Sequence, residues 1–490
     1  MDIQGSPIPE EVGKTGLSIL APGAKGVVED APDGSAGTRS GGGDGNTSAN
    51  KALANEDIIV VERLRIDLDL PELDAAAATR GETAAPPSLL VPVRDDKTAY
   101  AVNYVDESTG ASIWVFSKES KSAAAGDNLA FDLPPPPPAP APDPNAPPTT
   151  NRDGTRGDIT KAMRGVVTVV MWVTDKVVGA GVNLIAQAWE NKKRPYRLHQ
   201  VAADGKMIAP DWSAFNGDPV LLLVHGTFST PEAGFAGWID HADFAAIHKH
   251  YGGRCLALAH PSMHADPAEN VDWLLEALPK GKQWKFNVVS HSRGGLVVRE
   301  LAARATKDGS YQIDRMVMVA PPNFGTPLAN ADHWVTFLNT YTNILTDLPD
   351  TVTTVVTEGL LCLVKILGSA ATHGLSGIAS MNVDDDYLKK LAPRAYLNPE
   401  GLYAIASDYS PSKPAIIKQL AAKAADVVID GFFEEPNDMV VPTKGCSEGS
   451  LEAAGFPIVA SRLKVLSGPI HHCNYFQQPD VHQKLAEWLT

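Results

Sequence analysis

The sequence predicts an α/β fold with a mostly parallel central sheet, and two observations in its C-terminal part support this prediction. Six short apolar runs have the composition of strands buried on both faces, namely "PVLLLVHG", "RCLALAHP", "KFNVVSHS", "RMVMVAPP", "GLYAIAS" and "RLKVLSG". Stretches with helical periodicity, such as "AENVDWLLEALP" and "GGLVVRELAARAT", alternate with these runs. Alternation of strands and helices is typical of a parallel sheet that is covered by helices.

The size and charge of the chain restrict its class. With 490 residues and a mass of 52.0 kDa, the chain is longer than a domain with a single hydrophobic core, so we expect one large domain with smaller or disordered parts. Its formal net charge of -16 disfavours nucleic-acid binding, which needs clustered Lys and Arg to neutralise phosphates. The four cysteines show no C-x-x-C pairing, so neither a zinc ribbon nor a disulfide framework is expected. The start "MDIQGSPIPEEVGKTG" lacks a basic and then apolar leader, and we expect a cytoplasmic protein.

The N-terminal third divides into three segments by composition. Residues 1–52 are rich in Gly, Ser, Asp and Pro, which predicts a disordered tail. Residues 53–132 contain runs of alternating apolar and polar residues, which predict a small β-rich module of unknown role. Residues 133–155 contain "LPPPPPAPAPDPNAPP", which predicts an extended, semi-rigid linker; a ligand for a polyproline-binding domain is the alternative.

Two further apolar segments lie before and within the α/β domain, which is expected over residues 197–490. Residues 156–196 predict an apolar helical segment, and the charged Asp175 and Lys176 at its middle disfavour a membrane span. A helix packed on the main domain is the favoured interpretation, and a helix lying on a membrane surface is the alternative. An insertion at about 328–392 contains "TVTTVVTEGLLCLVKILGSA", which predicts a helical cap.

The stretch "VVSHSRGGLVVREL" contains a candidate nucleophile, Ser292, between an apolar strand and a helix that begins at Gly294. A nucleophile elbow holds its serine in a strained turn, so the residues two before and two after it must be small, as Ser290 and Gly294 are. The helix N-terminus directs free N–H groups and positive potential at this turn. A serine that merely caps the helix is the alternative, and the adjacent His291 is not expected to be the base.

A nucleophilic serine needs a base that accepts its proton and an acid that orients the base. The stretch "EEPNDMVVP" offers Asp438 as the acid, and Asp408 at the end of "LYAIASD" is the alternative. The stretch "SGPIHHCNYF" offers His471 and His472 immediately after the last predicted strand, and we favour His472 as the base.

The negative charge that develops on a carbonyl oxygen during attack also needs fixed hydrogen-bond donors. The loop "HGTFST" follows the first long apolar strand, so the N–H groups of Thr227 and Arg293 are the predicted oxyanion hole. The clusters "HHC" and "HKH" lack a recognised spacing of metal ligands, and we expect no metal site.

These motifs resemble those of the α/β-hydrolases of the lipase and esterase kind, over roughly residues 218–490. The matching stretches are "LLLVHGTFS", "VVSHSRGGLVVREL", "VAPPNFGTPLA", "PNDMVVP" and "HHCNYF", with Ser290 in place of the commoner Gly and a doubled histidine as departures. The resemblance implies hydrolysis of a small-molecule or lipid-like ester through an acyl-enzyme on Ser292, with no metal or organic cofactor. The alternative is a non-catalytic binding or scaffold protein that keeps the hydrolase fold.

Overall fold

The strands and helices of the protein are given by a computed structural model. It describes residues 1–32, 45–71, 86–118, 126–134, 161–174, 182–305, 309–345, 348–369, 374–391, 399–410, 433, 435–448 and 456–490. The strands of the N-terminal part are β1 Asp2–Ile3, β2 Glu10–Val12, β3 Leu17–Leu20, β4 Lys25–Asp30, β5 Ile59–Leu70, β6 Ser88–Pro92, β7 Thr98–Asp106, β8 Ser112–Val115, β9 Asn128–Asp132 and β10 Lys161–Val173. Those of the C-terminal part are β11 Arg197–Val201, β12 Met207–Ile208, β13 Val220–Val224, β14 Cys255–Ala259, β15 Trp284–His291, β16 Tyr311–Val319, β17 Leu402–Tyr409 and β18 Leu463–Gly468.

Helices connect and cover these strands. They are α1 Gly45–Asn55, α2 Val182–Lys193, α3 Pro231–Gly234, α4 Ala242–His250, α5 Pro267–Ala277, α6 Gly294–Ala305, α7 Trp334–Ile344, α8 Asp350–Gly368, α9 Ser376–Ala379, α10 Asp386–Leu391, α11 Thr443–Ser447 and α12 Pro479–Leu489.

The C-terminal sheet has the strand order β12-β11-β14-β13-β15-β16-β17-β18. Neighbouring strands from β14 to β18 run parallel, and among the described strands of this sheet only the pairs formed by β11 are antiparallel. The predicted mostly parallel sheet with flanking helices is therefore confirmed. All five residues of β13 are buried, because apolar clusters cover both faces of the sheet.

Successive side chains of β13 point to opposite faces, as the strand geometry requires. Leu222 and Val224 join the cluster that packs against α5 and α6, whereas Leu221 and Leu223 join the cluster that packs against α4 and α12. Because the strands are parallel, their C-terminal ends lie at one edge, and the loops that leave this edge carry the candidate site.

The predicted disordered tail over residues 1–52 is corrected by the structure, which has four strands and a helix in that range. Strands β1 and β4 belong to a six-stranded sheet of order β1-β4-β5-β10-β7-β8, and β2 and β3 belong to a four-stranded sheet of order β2-β3-β6-β9. The few apolar residues of this segment, such as Leu17, Ile19 and Val28, are buried against strands from residues 59–132. Local composition does not reveal partners that are so distant in sequence.

The predicted helical segment over residues 156–196 is also corrected. Residues 161–173 form β10, which pairs with β5 on one side and β7 on the other, and among the described residues of this segment the helix is limited to 182–193. The run Val166–Val170 contains four valines, whose branched side chains favour a strand between two neighbours. The proline run of the predicted linker lies outside the described residues.

The insertion between β16 and β17 contains helices α7 to α10. Its side chains Trp334, Phe337 and Leu360 share an apolar cluster with Trp172 and Ala101 of the N-terminal part. Among the described helices, α8 is the one with the length and composition to cross a membrane, and 67% of its most apolar window is buried inside the protein.

Two asparagines of helix α7 form hydrogen bonds with the backbone of β8, the edge strand of the six-stranded N-terminal sheet. The Asn343 amide accepts a hydrogen bond from the N–H of Ser112 at 3.0 Å and donates one to its carbonyl at 2.8 Å. Asn339 accepts the N–H of Trp114 at 2.8 Å. Residues two apart on a strand are separated by about 6.7 Å, and residues four apart on a helix by about 6 Å. The spacing of the two asparagines therefore matches that of the two N–H groups.

Candidate active site

The turn between β15 and α6 places Ser292 at the C-terminal edge of the sheet. Its backbone has φ +53, a left-handed conformation that is strained for a side chain other than Gly. Its N–H donates to the carbonyl of Val319 at 2.9 Å, which fixes the turn to the end of β16. Ser292 therefore occupies the strained turn that the sequence predicts for a nucleophile.

A close approach of α6 to β13 explains the glycine two residues after Ser292. A Cβ atom on Gly294 would overlap the Val224 carbonyl oxygen and would lie 2.7 Å from that of His225. We therefore expect Gly294→Ala to lower the free energy of unfolding by about 1–3 kcal/mol, the usual cost of overpacking. Urea denaturation measures this change. Gly309→Ala is the control, because a Cβ atom there meets nothing within 4 Å; equal stability of the two variants would contradict the prediction.

A chain of two hydrogen bonds connects the predicted nucleophile, base and acid. His472 Nε2 lies 2.8 Å from Ser292 Oγ, and His472 Nδ1 lies 2.8 Å from Asp438 Oδ2. All three side chains are buried. Because a carboxylate only accepts hydrogen bonds, Nδ1 carries the proton and Nε2 is free to accept the serine hydroxyl. The arrangement can remove a proton from Ser292.

Asp438 is held as a carboxylate by several donors. Its Oδ1 accepts the N–H groups of Val440 and Val441 at 3.0 and 2.7 Å, and its Oδ2 also accepts the Tyr475 hydroxyl at 3.1 Å. Burial acts to raise the pKa of Asp438, but the charge and hydrogen bond of His472 and the two N–H groups together hold it below its ordinary value. Asp438 is therefore ionised at neutral pH and can orient the His472 ring.

The alternative acid and base stand outside this chain of hydrogen bonds. Asp408 is exposed at the end of β17. His471 accepts the N–H of Cys473 through Nδ1 at 3.3 Å, and burial lowers its pKa to about 4. The described residues include no hydrogen bond between His471 and Ser292, so the geometry favours His472 and Asp438.

His291 lies beside the triad, although the sequence places it only next to the nucleophile. Its Nε2 donates to the backbone carbonyl of His472 at 2.9 Å, and its ring centroid lies 5.1 Å from that of His472. Burial lowers the pKa of His291 to about 3, so the ring stays neutral. It supports the position of His472 and does not contact Ser292 through a described hydrogen bond.

Because His291 is buried in its neutral form, we expect the free energy of unfolding to fall at acidic pH. An unfolded histidine takes up a proton near pH 6.5, whereas His291 in the folded protein has a pKa of about 3. Its contribution to stability is complete above pH 6.5 and is lost as the pH falls, by about 2 kcal/mol between pH 7 and pH 5. We expect His291→Gln, which keeps an N–H donor for His472, to remove that part of the pH dependence in urea unfolding. An unchanged difference between the two pH values would contradict this.

The loop after β13 lies against the nucleophile, as predicted for an oxyanion hole. A Cβ atom on Gly226 would lie 2.7 Å from Ser292 Cβ and 3.2 Å from its Oγ, so only glycine fits there. In the described part of the chain, the N–H groups of Thr227 and Arg293 donate no hydrogen bond. Among the described residues, both N–H groups are therefore without a partner, and they belong to the loop and the turn that meet at Ser292.

A buried carboxylate that the sequence analysis missed supports this loop. Glu190 of α2 accepts the N–H groups of Met263 and His264, both at 2.9 Å, and the His264 ring at 2.6 Å. Ser262 also donates its N–H to Glu190 at 2.5 Å, and its hydroxyl accepts the N–H of Phe228 at 3.1 Å. Phe228 has φ +60, so its strained backbone is fixed by this network. No motif marks Glu190, whose role depends on tertiary packing.

One group of described side chains has the types and spacing of metal ligands. His241, Asp243 and His482 present ligand atoms within 4.8 Å of one another. His241 caps the N-terminus of α4, Asp243 lies in its first turn, and His482 lies in α12. None of them contacts Ser292, His472 or Asp438 through a described hydrogen bond. His482 is also held by the Phe476 carbonyl at 2.8 Å. His482 Nδ1 and His241 Nδ1 lie 3.2 and 3.1 Å from Asp243 Oδ2, so contacts of both rings with one carboxylate account for the arrangement.

Comparison with solved structures finds hydrolases at low similarity. A lipase from Bacillus licheniformis, BlEst2, is 14% identical with a TM-score of 0.34, covering 60% of this chain and 98% of that one. Lipase 1 from Pelosinus fermentans is 14% identical with a TM-score of 0.35, covering 55% and 98%. A hydrolase from Pseudomonas aeruginosa is 18% identical with a TM-score of 0.31, covering 60% and 93%.

Comparison with curated protein sequences gave no match. Residues 188–490 match a protein family that is described as a domain of unknown function, DUF7379. The matched range begins within α2 and includes Glu190, the whole C-terminal sheet, the insertion and the triad. Because this range is more than half of the chain, the protein belongs to the DUF7379 family.

Proposed function

We propose that the protein is a serine hydrolase of the α/β-hydrolase fold that cleaves carboxylic esters through an acyl-enzyme on Ser292. The hydrogen-bonded chain from Ser292 through His472 to Asp438, with both distances at 2.8 Å, is the observation that carries this proposal. The position of Ser292 on a strained turn at the edge of a parallel sheet supports it further.

The proposed reaction has two steps. His472 Nε2 takes the Ser292 proton as Oγ attacks the ester carbonyl, and the carbonyl electron pair moves to the oxygen. The N–H groups of Thr227 and Arg293 stabilise that oxyanion, and His472 then donates the proton to the departing alkoxide. A water molecule then attacks the acyl carbon as His472 takes its proton, the bond to Oγ breaks to release the acid, and His472 returns the proton to Ser292 Oγ. Asp438 stabilises the imidazolium in both steps.

We propose that the insertion acts as a cap over the site. Ser292 and His472 are only 3% and 1% exposed, so a substrate needs movement of a neighbouring element to reach them. The apolar rings of Phe228, Phe337 and Tyr341 pack against one another next to His472. Apolar surroundings of this kind suit an ester with an acyl chain or another hydrophobic group.

Hydrolysis of p-nitrophenyl esters of short and long acyl chains tests the proposed function. We expect turnover by the wild type and none above background by Ser292→Ala. Ser447→Ala is the control, because Ser447 is a buried serine of α11 whose hydroxyl donates to the Lys444 carbonyl at 3.3 Å. A folded wild type that hydrolyses none of these esters would refute the ester hydrolase and favour the non-catalytic scaffold.

A further inference from the structure

Tyr341 of the insertion helix α7 lies in the candidate active site. It is only 3% exposed, and its ring centroid is 6.1 Å from that of His472 in an edge-on arrangement. It also packs edge-on against Phe228 at 5.6 Å and Phe337 at 4.9 Å. Phe228 directly follows Thr227, so Tyr341 stands between the oxyanion loop and the catalytic histidine.

The hydroxyl of Tyr341 is close to the nucleophile. The Ser292 side chain is one of the groups that act on the pKa of Tyr341, so the two side chains are neighbours in the buried site. Burial raises the pKa of Tyr341 well above its ordinary value, so the hydroxyl keeps its proton and can act as a donor. Ser292 directs its own proton to His472, which leaves the lone pairs of Oγ free to accept.

The N-terminal sheet holds this tyrosine in place. Asn339 and Asn343, on the same helix as Tyr341, form the hydrogen bonds to Ser112 and Trp114 of edge strand β8. Three hydrogen bonds to the backbone of a sheet fix both the rotation and the height of α7. A side chain that is positioned by such a rigid support is suited to catalysis, because a displacement of about 1 Å can cost 100-fold in rate.

We propose that Tyr341 is a further catalytic residue, whose hydroxyl donates a hydrogen bond to the oxyanion beside the N–H groups of Thr227 and Arg293. This inference rests on the proposed ester hydrolysis. When Oγ forms its bond to the carbonyl carbon, the Ser292 proton moves to His472 and the carbonyl electron pair moves to the oxygen. Tyr341 then donates its hydrogen bond to that oxygen and keeps its own proton throughout. The N-terminal part thereby completes the active site by supporting α7.

Tyr341→Phe tests the role of the hydroxyl, since it keeps the ring and its packing. We expect kcat to fall about 100-fold, the lower end of the loss for one oxyanion donor, with KM changed less than about twofold. A trifluoromethyl ketone, which forms a stable oxyanion adduct with the serine, should bind more weakly by a similar factor. Tyr251→Phe is the control, because that buried hydroxyl donates to the Leu489 carbonyl at 3.1 Å and should not affect either value.

Four outcomes separate this inference from the proposed function. A parallel loss in kcat and in ketone affinity supports it. Unchanged kcat in Tyr341→Phe, or a rise in KM alone, would overturn it while leaving the hydrolase in place. Equal losses in Tyr341→Phe and Tyr251→Phe would also overturn it, because they would reflect stability. A wild type without any ester hydrolysis would refute the proposed function itself.

Discussion

Replacement of His472 by alanine is expected to lower kcat for a p-nitrophenyl ester by about 10⁶-fold, the loss typical of removing a catalytic histidine. His472 is the group that connects Ser292 Oγ with Asp438, through distances of 2.8 Å on each side. Without it, the serine hydroxyl keeps its proton at neutral pH, and no base activates the water that hydrolyses the acyl-enzyme. The residual rate would come from substrate binding and the oxyanion donors.

His471→Ala is the matched control for this experiment. The two histidines are adjacent and both are buried, but His471 has no described hydrogen bond to Ser292 or Asp438. We expect its variant to keep kcat within about tenfold of the wild type, because it removes no group from the proton path. Equal losses in the two variants, or an active His472→Ala, would show that the base has been misassigned.

Replacement of Asp438 by asparagine is expected to lower kcat by about 10⁴-fold while the protein stays folded. The asparagine amide can donate to His472 Nδ1, which would force the proton onto Nε2 and so block its bond with Ser292 Oγ. Its carbonyl oxygen can still accept the N–H groups of Val440 and Val441, so the turn is retained. Rates measured from pH 6 to pH 10 should recover partly at high pH, where hydroxide can replace the missing base.

Asp408→Asn is the control for the acid. Asp408 has the same charge and lies at the end of β17, but it is exposed. We expect wild-type kcat from this variant. If Asp408→Asn were the inactive one, the acid would have to approach His472 in a conformation different from the one described here.

The central sheet and the grouping of Ser292, His472 and Asp438 by hydrogen bonds could be predicted because their signals are local. The parallel strands β13 to β18 correspond to the six apolar runs, and the turn at Ser292 follows from the small residues Ser290 and Gly294. The order of serine, acid and histidine in the chain restricted the partners to a few candidates. Which of the two adjacent histidines faces Ser292 depends on the conformation of the loop after β18. The structure shows that conformation, and it places His472 beside Ser292.

The N-terminal strands and the supporting residues of the site could not be predicted with the same information. Strands β1 to β4 are stabilised by pairing with β5 and β6, so their own polar composition is misleading. Strand β10 has the apolar content of a helix, and its two neighbours in the sheet decide its conformation. Tyr341 and Glu190 lie on helices that contain no catalytic motif. The residues they contact at the site are at least 49 positions away in the sequence.

Labelling with a fluorophosphonate probe, followed by mass spectrometry of the peptides, tests the assignment of Ser292 as the nucleophile most directly. The probe reacts with an activated serine and needs no knowledge of the natural substrate. One label per chain is expected, on Ser292, with none in Ser292→Ala and much slower labelling in His472→Ala. A folded wild type that carries no label, or carries it on another residue, would contradict the serine nucleophile.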